Sequence, residues 1–396
     1  RLPQCFDHIT WTVSNGDILL NGQPFRVRGA NWFGFETGTS VVHGLWGATT
    51  MDAVLDMLVT NKLNVLRIPF SLDMALNSAT TIPAWNCYEC VTDKSWDALD
   101  RLFDKAAARG IMIILELHSF TAGGPVTELW YNGSYSEASV ITGWSNMLNR
   151  WGSRANLMGI DIKNEPHGAA TWNKNAASTP IAQQTDWDKA AVRIVTQLKT
   201  LYPSFDKLII VEGVGTGGAD SPFPVSDPAY NKWNGSNLDG VYKAPLDFGV
   251  AALNNRLVYS SLIWGPSVNW MPYFGDATFP ANMPSVWDKQ ASAERGLSLP
   301  PHLLQHFLPG WGGMKNNVAA DTQLQNKWVQ YMAANCIGDS IIWAINPNSG
   351  STQGLLLDGW TSPNAAMLDL IKIAQPDPAV ITSTITNTNI CVTFGA

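Results

Sequence analysis

The stretch LMGIDIKNEPHG, residues 157–168, is a short apolar run that turns polar at Lys163, Asn164 and Glu165 and stops at Pro166. Such a run reads as a buried strand whose C-terminal end delivers an amide and a carboxylate into a loop. The same pattern recurs on both sides of it. VRGANW (27–32), LNVLRIPF (63–70) and IMIILELH (111–118) come before; KLIIVEG (207–213), RLVYSSLIW (256–264), HLLQHF (302–307) and DSIIWAIN (339–346) follow. Between most of them lie amphipathic helix patterns such as TTMDAVLDMLVTNK and WDALDRLFDKAAARG, the second ending on the helix-stopping Gly110. Eight strand–helix units predict an α/β fold, a (β/α)8 TIM barrel over about residues 27–375 within a single domain, 1–396. No GxGxxG follows the first strand, which argues against an open dinucleotide-binding sheet. Asn15-Gly16 and Asn21-Gly22 mark turns in WTVSNGDILLNGQPF (11–25), predicting an N-terminal β-hairpin that closes the bottom of the barrel. The polar, β-like TSTITNTNICVTF follows the last helix, tied back through Cys391.

Composition narrows the function. With 45% hydrophobic and 14% charged residues the chain can bury a sizeable core. A net charge of −7 without a basic cluster argues against nucleic acid and anionic membranes as partners. The 18 Trp residues exceed core needs and suit a surface for flat apolar faces, sugar rings included. No run of 18 apolar residues is present, so no membrane-spanning helix is expected. Of five cysteines, Cys5 with Cys391 and Cys87 with Cys90 are the expected disulfides, leaving Cys336 as a buried free thiol in a helix; no metal site or cofactor is expected. The start at Arg1, the cysteine pairs and the sequons at Asn132 and Asn234 are read as signs of a processed, secreted, glycosylated monomer.

In a (β/α)8 barrel the chemistry sits where strands run into their following loops. Arg67, His118, Asn164, Glu165 and Trp343 fall at such places. NWFGFET (31–37), VVHGLW (41–46), LRIPFS (66–71), KNEPHG (163–168), VEGV (211–214), FPANMPSVWDK (279–289) and NPNSG (346–350) resemble, in order and spacing, the cellulase-like endo-β-1,4-glucanases of glycoside hydrolase family 5. The resemblance covers roughly residues 11–375. It implies retaining hydrolysis of β-1,4-glucan or cello-oligosaccharides, with Glu165 as acid/base, Arg67, His118 and Asn164 as supporting residues, and Trp343 as sugar platform; Trp32 and Trp264 are the further substrate-binding candidates.

Two departures stand out. Where the family ends strand seven with a Gly-Glu-Phe-Gly-like motif, Gln305-His306-Phe307-Leu308 is read here, putting His306 at the nucleophile position. On strand six the usual His-x-Tyr is replaced by Leu262-Ile263-Trp264. Retaining hydrolysis needs two carboxyl groups about 5–5.5 Å apart, and imidazole cannot replace the one that forms the glycosyl ester. The expectation is therefore a β-glucan-recognising scaffold with lost or severely impaired endoglucanase activity. Two alternatives stand beside it: an active glycosidase pairing Glu165 as acid with His306 or another carboxylate as base, and a repurposed apolar pocket acting on a non-sugar substrate with His306 as base.

Overall fold

The computed structural model describes residues 1–90, 93–218, 224–290, 306–315 and 318–395. Eight parallel strands run in chain order around a closed ring: β1 (Arg28–Asn31), β2 (Val65–Ser71), β3 (Met112–Ser119), β4 (Leu157–Asp161), β5 (Leu208–Glu212), β6, β7 and β8 (Ser340–Trp343). β6 and β7 are each split in two. The lower half of β6 (Leu257–Ser260) pairs with the lower half of β7 (His306–Phe307), and the upper half (Leu262–Trp264) pairs with the upper half (Gly310–Gly312). These two pairings close the ring, since upper β7 also pairs with β8, and β8 with β1. The expected barrel is thus observed, with Pro309 at the break in β7. Residues 302–305 of the strand expected at 302–307 lie outside the described residues.

Helices pack outside the ring for the reason their sequences suggest. Ser95–Ala108 buries Ala98, Leu99, Leu102, Phe103 and Ala106 at three- and four-residue spacing and leaves its charged face outward. It stops at Gly110, where φ is +70° and a β-carbon would lie 2.5 Å from the Ile381 carbonyl oxygen. Met51–Thr60 starts at Thr50, whose hydroxyl accepts the Ala53 N–H at 3.1 Å.

Strand alternation divides the apolar residues in two. One set faces the helices. The other fills the lower barrel, where Val65, Met112, Ile114, Met158, Ile210, Val258, Leu308 and Ile341 form one cluster with Trp11, Ile18, Leu20 and Phe25 of the N-terminal hairpin. The hairpin strands Trp11–Ser14 and Asp17–Leu20 plug the bottom as expected. Each such side chain removed from water contributes roughly 1.5–3 kcal/mol. Beside the plug, the strand Gln4–Phe6 pairs antiparallel with Ile390–Thr393, and the Cys5–Cys391 disulfide joins the two. Cys87–Cys90 forms the second disulfide. Cys336 departs from expectation: the helix ends at Ala334, and Cys336 lies beyond its cap at φ +55° with its side chain exposed.

Candidate active site

The upper ends of the strands surround a cavity of about 560 Å³. Its polar side is built around Arg67, the inward-facing residue of β2, which is buried among carboxylates from three neighbouring strands. Its Nη2 donates to Asp161 Oδ2 at 2.8 Å and to Glu212 Oε1 at 3.0 Å, and its Nη1 lies 3.3 Å from Glu116 Oε2. Nη1 also donates to Asn31 Oδ1 at 2.9 Å. Burial alone would favour the neutral guanidine, but the three carboxylates outweigh it and hold Arg67 firmly charged. One cation cannot keep all three acids ionised. Burial pushes Asp161 up to about 6 and Glu212 well above the usual carboxylate range. For Glu116 burial is opposed and outweighed by Arg67 and His118, so it lies below the ordinary value.

His118 lies with Nδ1 at 3.1 Å from Glu116 Oε2. That carboxylate overcomes the effect of burial and raises the imidazole pKa. The ring stacks on Trp343, centroid to centroid 5.5 Å and 17° from parallel, and Trp343 in turn stacks on Phe33 at 5.3 Å. The indole at the top of β8 is therefore held in one orientation, and its Nε1 donates to Ser349 Oγ at 3.2 Å. Glu36, in the loop after β1, is near enough to His118 to feel its charge: it is buried, its Oε2 accepts the Gly34 N–H at 2.8 Å, and burial pushes it up to about 7.

Glu165 follows β4. Its backbone adopts the left-handed φ of +49°, and its N–H donates to Glu212 Oε2 at 2.7 Å. The side chain is half-buried and lines the cavity, and the carboxylate has no hydrogen-bond partner among the described residues. Burial raises its pKa, with His118 and Lys163 opposing. Asn164 lines the cavity beside it, with Oδ1 at 3.4 Å from Arg67 Nη2.

Six of the expected site residues are thus brought together: Arg67, His118, Asn164, Glu165, Trp264 and Trp343. Two are not. Trp32 is fully buried, its Nε1 donating to the His43 carbonyl at 3.0 Å. Alternation along β1 turns Asn31 toward the barrel axis, so its neighbour Trp32 faces the helix layer instead.

His306 lies at the opposite end of the barrel. Its Nδ1 is 2.6 Å from the carbonyl oxygen of Gly16 in the plugging hairpin, and its Nε2 is 3.3 Å from Asp339, which precedes β8. The residue of β7 that lines the cavity is Gly310, paired with Leu262 of β6 and Ile341 of β8. The expectation that His306 faces the cavity is corrected: it belongs to the lower half of the broken strand, and the upper half carries Gly310, Trp311 and Gly312. A β-carbon at 310 would come 2.7 Å from Leu262 Cδ2, so Leu262 already leans into that space. The signal missed in the sequence is Pro309-Gly310-Trp311-Gly312, after the break in the strand: its aromatic third residue and glycine fourth echo the family's Gly-Glu-Phe-Gly, and its second residue, Gly310, is the one at the cavity.

Also lining the cavity are Trp233 and Met271, which were not singled out in the sequence, and Asn234, noted there only as a sequon; they come from the loops after β5 and β6. Among the described residues no group of three His, Cys, Asp or Glu could hold a metal ion.

Comparison with known proteins agrees with this architecture. Residues 19–349 match the family model for cellulase, glycosyl hydrolase family 5. An endoglucanase of Paenibacillus polymyxa is 35% identical over 369 residues, 92% of this chain and 87% of that protein. The major extracellular endoglucanase of Xanthomonas campestris is 33% identical over 92% of this chain and 71% of its own length. Among solved structures, the endocellulase of Pyrococcus horikoshii in complex with cellotetraose superposes with a TM-score of 0.79 at 30% identity, covering 92% of this chain and 98% of that one. The barrel, the strand-end residues around Arg67 and Glu165, and these likenesses together make the chain a member of the glycosyl hydrolase family 5 cellulases.

Proposed function

We propose that this protein recognises β-1,4-glucan or cello-oligosaccharides in the cavity but has lost, or nearly lost, retaining endoglucanase activity. The observation that carries this reading is Gly310. It stands on β7 at the cavity, where the family's motif has its nucleophilic Glu, and it has no side chain to attack with. Glu165 remains as the general acid, but an acid alone leaves the glycosyl cation without the covalent partner that splits the reaction into two easier steps. The remaining carboxylates are engaged elsewhere. Asp161, Glu116 and Glu212 are buried and held by Arg67. On strand six Leu262 and Trp264 supply no hydroxyl or imidazole to hold an attacking group. The pairing of Glu165 with His306, as base in altered hydrolysis or as base in an apolar pocket, is set aside because His306 bonds to the Gly16 carbonyl beneath the barrel.

Sugar recognition is supported by Trp343, held by Phe33 and His118, and by Trp233 and Trp264 around the same cavity. The cellotetraose complex of the similar endocellulase is consistent with this ligand class. Extracellular residence as a monomeric, single-domain protein completes the reading; two disulfides and the named extracellular relative support the location. Asn132 is exposed and able to carry a glycan, whereas Asn234 lies at the cavity rim.

Calorimetric titration with cellotetraose, followed by product analysis after long incubation, tests both halves. Binding without release of shorter sugars is expected. Turnover at an ordinary endoglucanase rate overturns the loss of catalysis, and absence of any heat of binding overturns the sugar reading.

A further inference from the structure

The cavity reaches deeper than a sugar-binding cleft requires. Ile114, Ile210, Leu308 and Ile341 line it, and all four belong to the cluster that fills the lower barrel. Gly310 opens this depth, because at its place in β7 no side chain separates the mouth from that apolar floor. Few polar side chains line it at the same level: Asn31 accepts from Arg67 and donates to the Ile342 carbonyl, Asp161 accepts from Arg67 through Oδ2 and leaves Oδ1 without a partner, and Ser260 is the third. A sugar ring placed there would find few partners for its hydroxyls, each of which costs free energy when left unpaired. A flat apolar molecule would bury its faces without that loss. Around the upper cavity stand three indoles, Trp233, Trp264 and Trp343, with Leu262 between strand six and Gly310.

One reactive group looks into this space. The Glu165 carboxylate is half-buried, has no hydrogen-bond partner among the described residues, and is fixed from behind by its backbone bond to Glu212. A carboxylate stripped of water and of donors is a stronger base than the same group in solution.

We propose that the cavity accepts a planar, largely apolar heteroaromatic carbon acid and that Glu165 removes its proton. The inference stands on the cavity floor and the free carboxylate, and does not depend on sugar binding. A suitable probe is 5-nitro-1,2-benzisoxazole. Glu165 takes the proton from C3, the C–H electron pair becomes the third bond between carbon and nitrogen, and the N–O bond breaks. The oxygen leaves as 2-cyano-4-nitrophenolate, whose absorbance reports the reaction, and Glu165 returns the proton to water. No oxidant, metal or co-reactant is needed.

The experiment measures phenolate release by the intact protein against an equal concentration of acetate. Expected are saturation with substrate and a rate at least about 10²-fold above acetate, the scale of a positioned general base. Its pH profile should rise through a pKa above that of a free glutamate, the direction in which burial moves Glu165. Glu165→Gln should lose about 10²-fold or more while keeping its thermal melt. Gly310→Leu, which fills the floor, should raise KM at least about tenfold; a second filling variant, Leu308→Phe, serves if the first does not fold. A rate linear in substrate and equal to acetate overturns the proposal. So does a folded Glu165→Gln protein of unchanged rate, or a pair of folded filling variants with unchanged KM.

Discussion

The Glu212 carboxylate binds the two working parts of the site at once: Oε2 accepts the backbone N–H of Glu165 at 2.7 Å, and Oε1 accepts from Arg67 Nη2 at 3.0 Å. The left-handed backbone of Glu165 is thereby tied to the guanidinium. Removing that cation leaves Asp161, Glu116 and Glu212 buried and facing one another. Arg67→Met is expected to lower the free energy of unfolding by about 3–5 kcal/mol, the usual result of stranding a buried charge. Urea denaturation at neutral pH measures it, and a loss below about 1 kcal/mol would refute the central place given to Arg67.

Glu36 provides a pH-dependent prediction. Its folded pKa of about 7 lies above the ordinary 4.5, so its stabilising protonated form is fully present below pH 4.5 and is lost as pH rises through 7. The shift corresponds to about 3 kcal/mol. Glu36→Gln should therefore be the more stable protein relative to wild type at pH 8 than at pH 4.5. Melting curves of the two proteins across that range check the sign; a constant difference between them contradicts it.

His306 should affect stability and leave the cavity alone. His306→Gln removes one of the two side chains beside the buried Asp339 Oδ2, the other being Arg26 with Nη1 at 3.6 Å, and disturbs the contact with the plugging hairpin. A loss of about 1–3 kcal/mol is expected, with cellotetraose affinity unchanged within twofold. A large change in affinity at unchanged stability would place His306 in the site after all.

Restoring the nucleophile needs space as well as a carboxylate. Gly310→Glu alone brings its β-carbon against Leu262 Cδ2, so the side chain is deflected and its carboxylate lacks a donor. Gly310→Glu with Leu262→His and Trp264→Tyr should hydrolyse soluble β-glucan at least about tenfold faster than the single variant. Equal activity in a reducing-sugar assay would show that the strand-six residues are incidental.

Thiol chemistry separates the cysteines. Cys336 is exposed and the other four are in disulfides, so titration with an aromatic disulfide should find one thiol in the folded protein without denaturant. Reaction only after unfolding contradicts the exposed position.

The barrel was legible because eight apolar runs alternate with helix patterns, and alternation follows from how strands and helices bury their faces. Arg67, His118, Asn164, Glu165 and Trp343 were legible because strand ends are where a barrel exposes polar groups. Strand seven misled for a local reason. HLLQHF has the composition of a strand, whereas Leu308-Pro309-Gly310-Trp311-Gly312 carries the residues that weaken one. Its upper half is held by the neighbouring ladders of Leu262 and Ile341, a tertiary cause that no local propensity reports. Trp32 was misplaced by a single step of alternation. Cys336 was misplaced because the helix around it ends two residues earlier.

The bridge between Cys5 and Cys391 also determines how the molecule carries mechanical load. Their α-carbons are 4.0 Å apart in adjacent antiparallel strands. Tension applied through chain outside these two cysteines passes across one sulfur–sulfur bond and bypasses the 386-residue loop that contains the barrel. In an optical trap the oxidised protein should show no unfolding step when pulled by handles beyond the bridge. Reduction puts the barrel under load, and the contour length it releases then measures how much chain the bond had shielded.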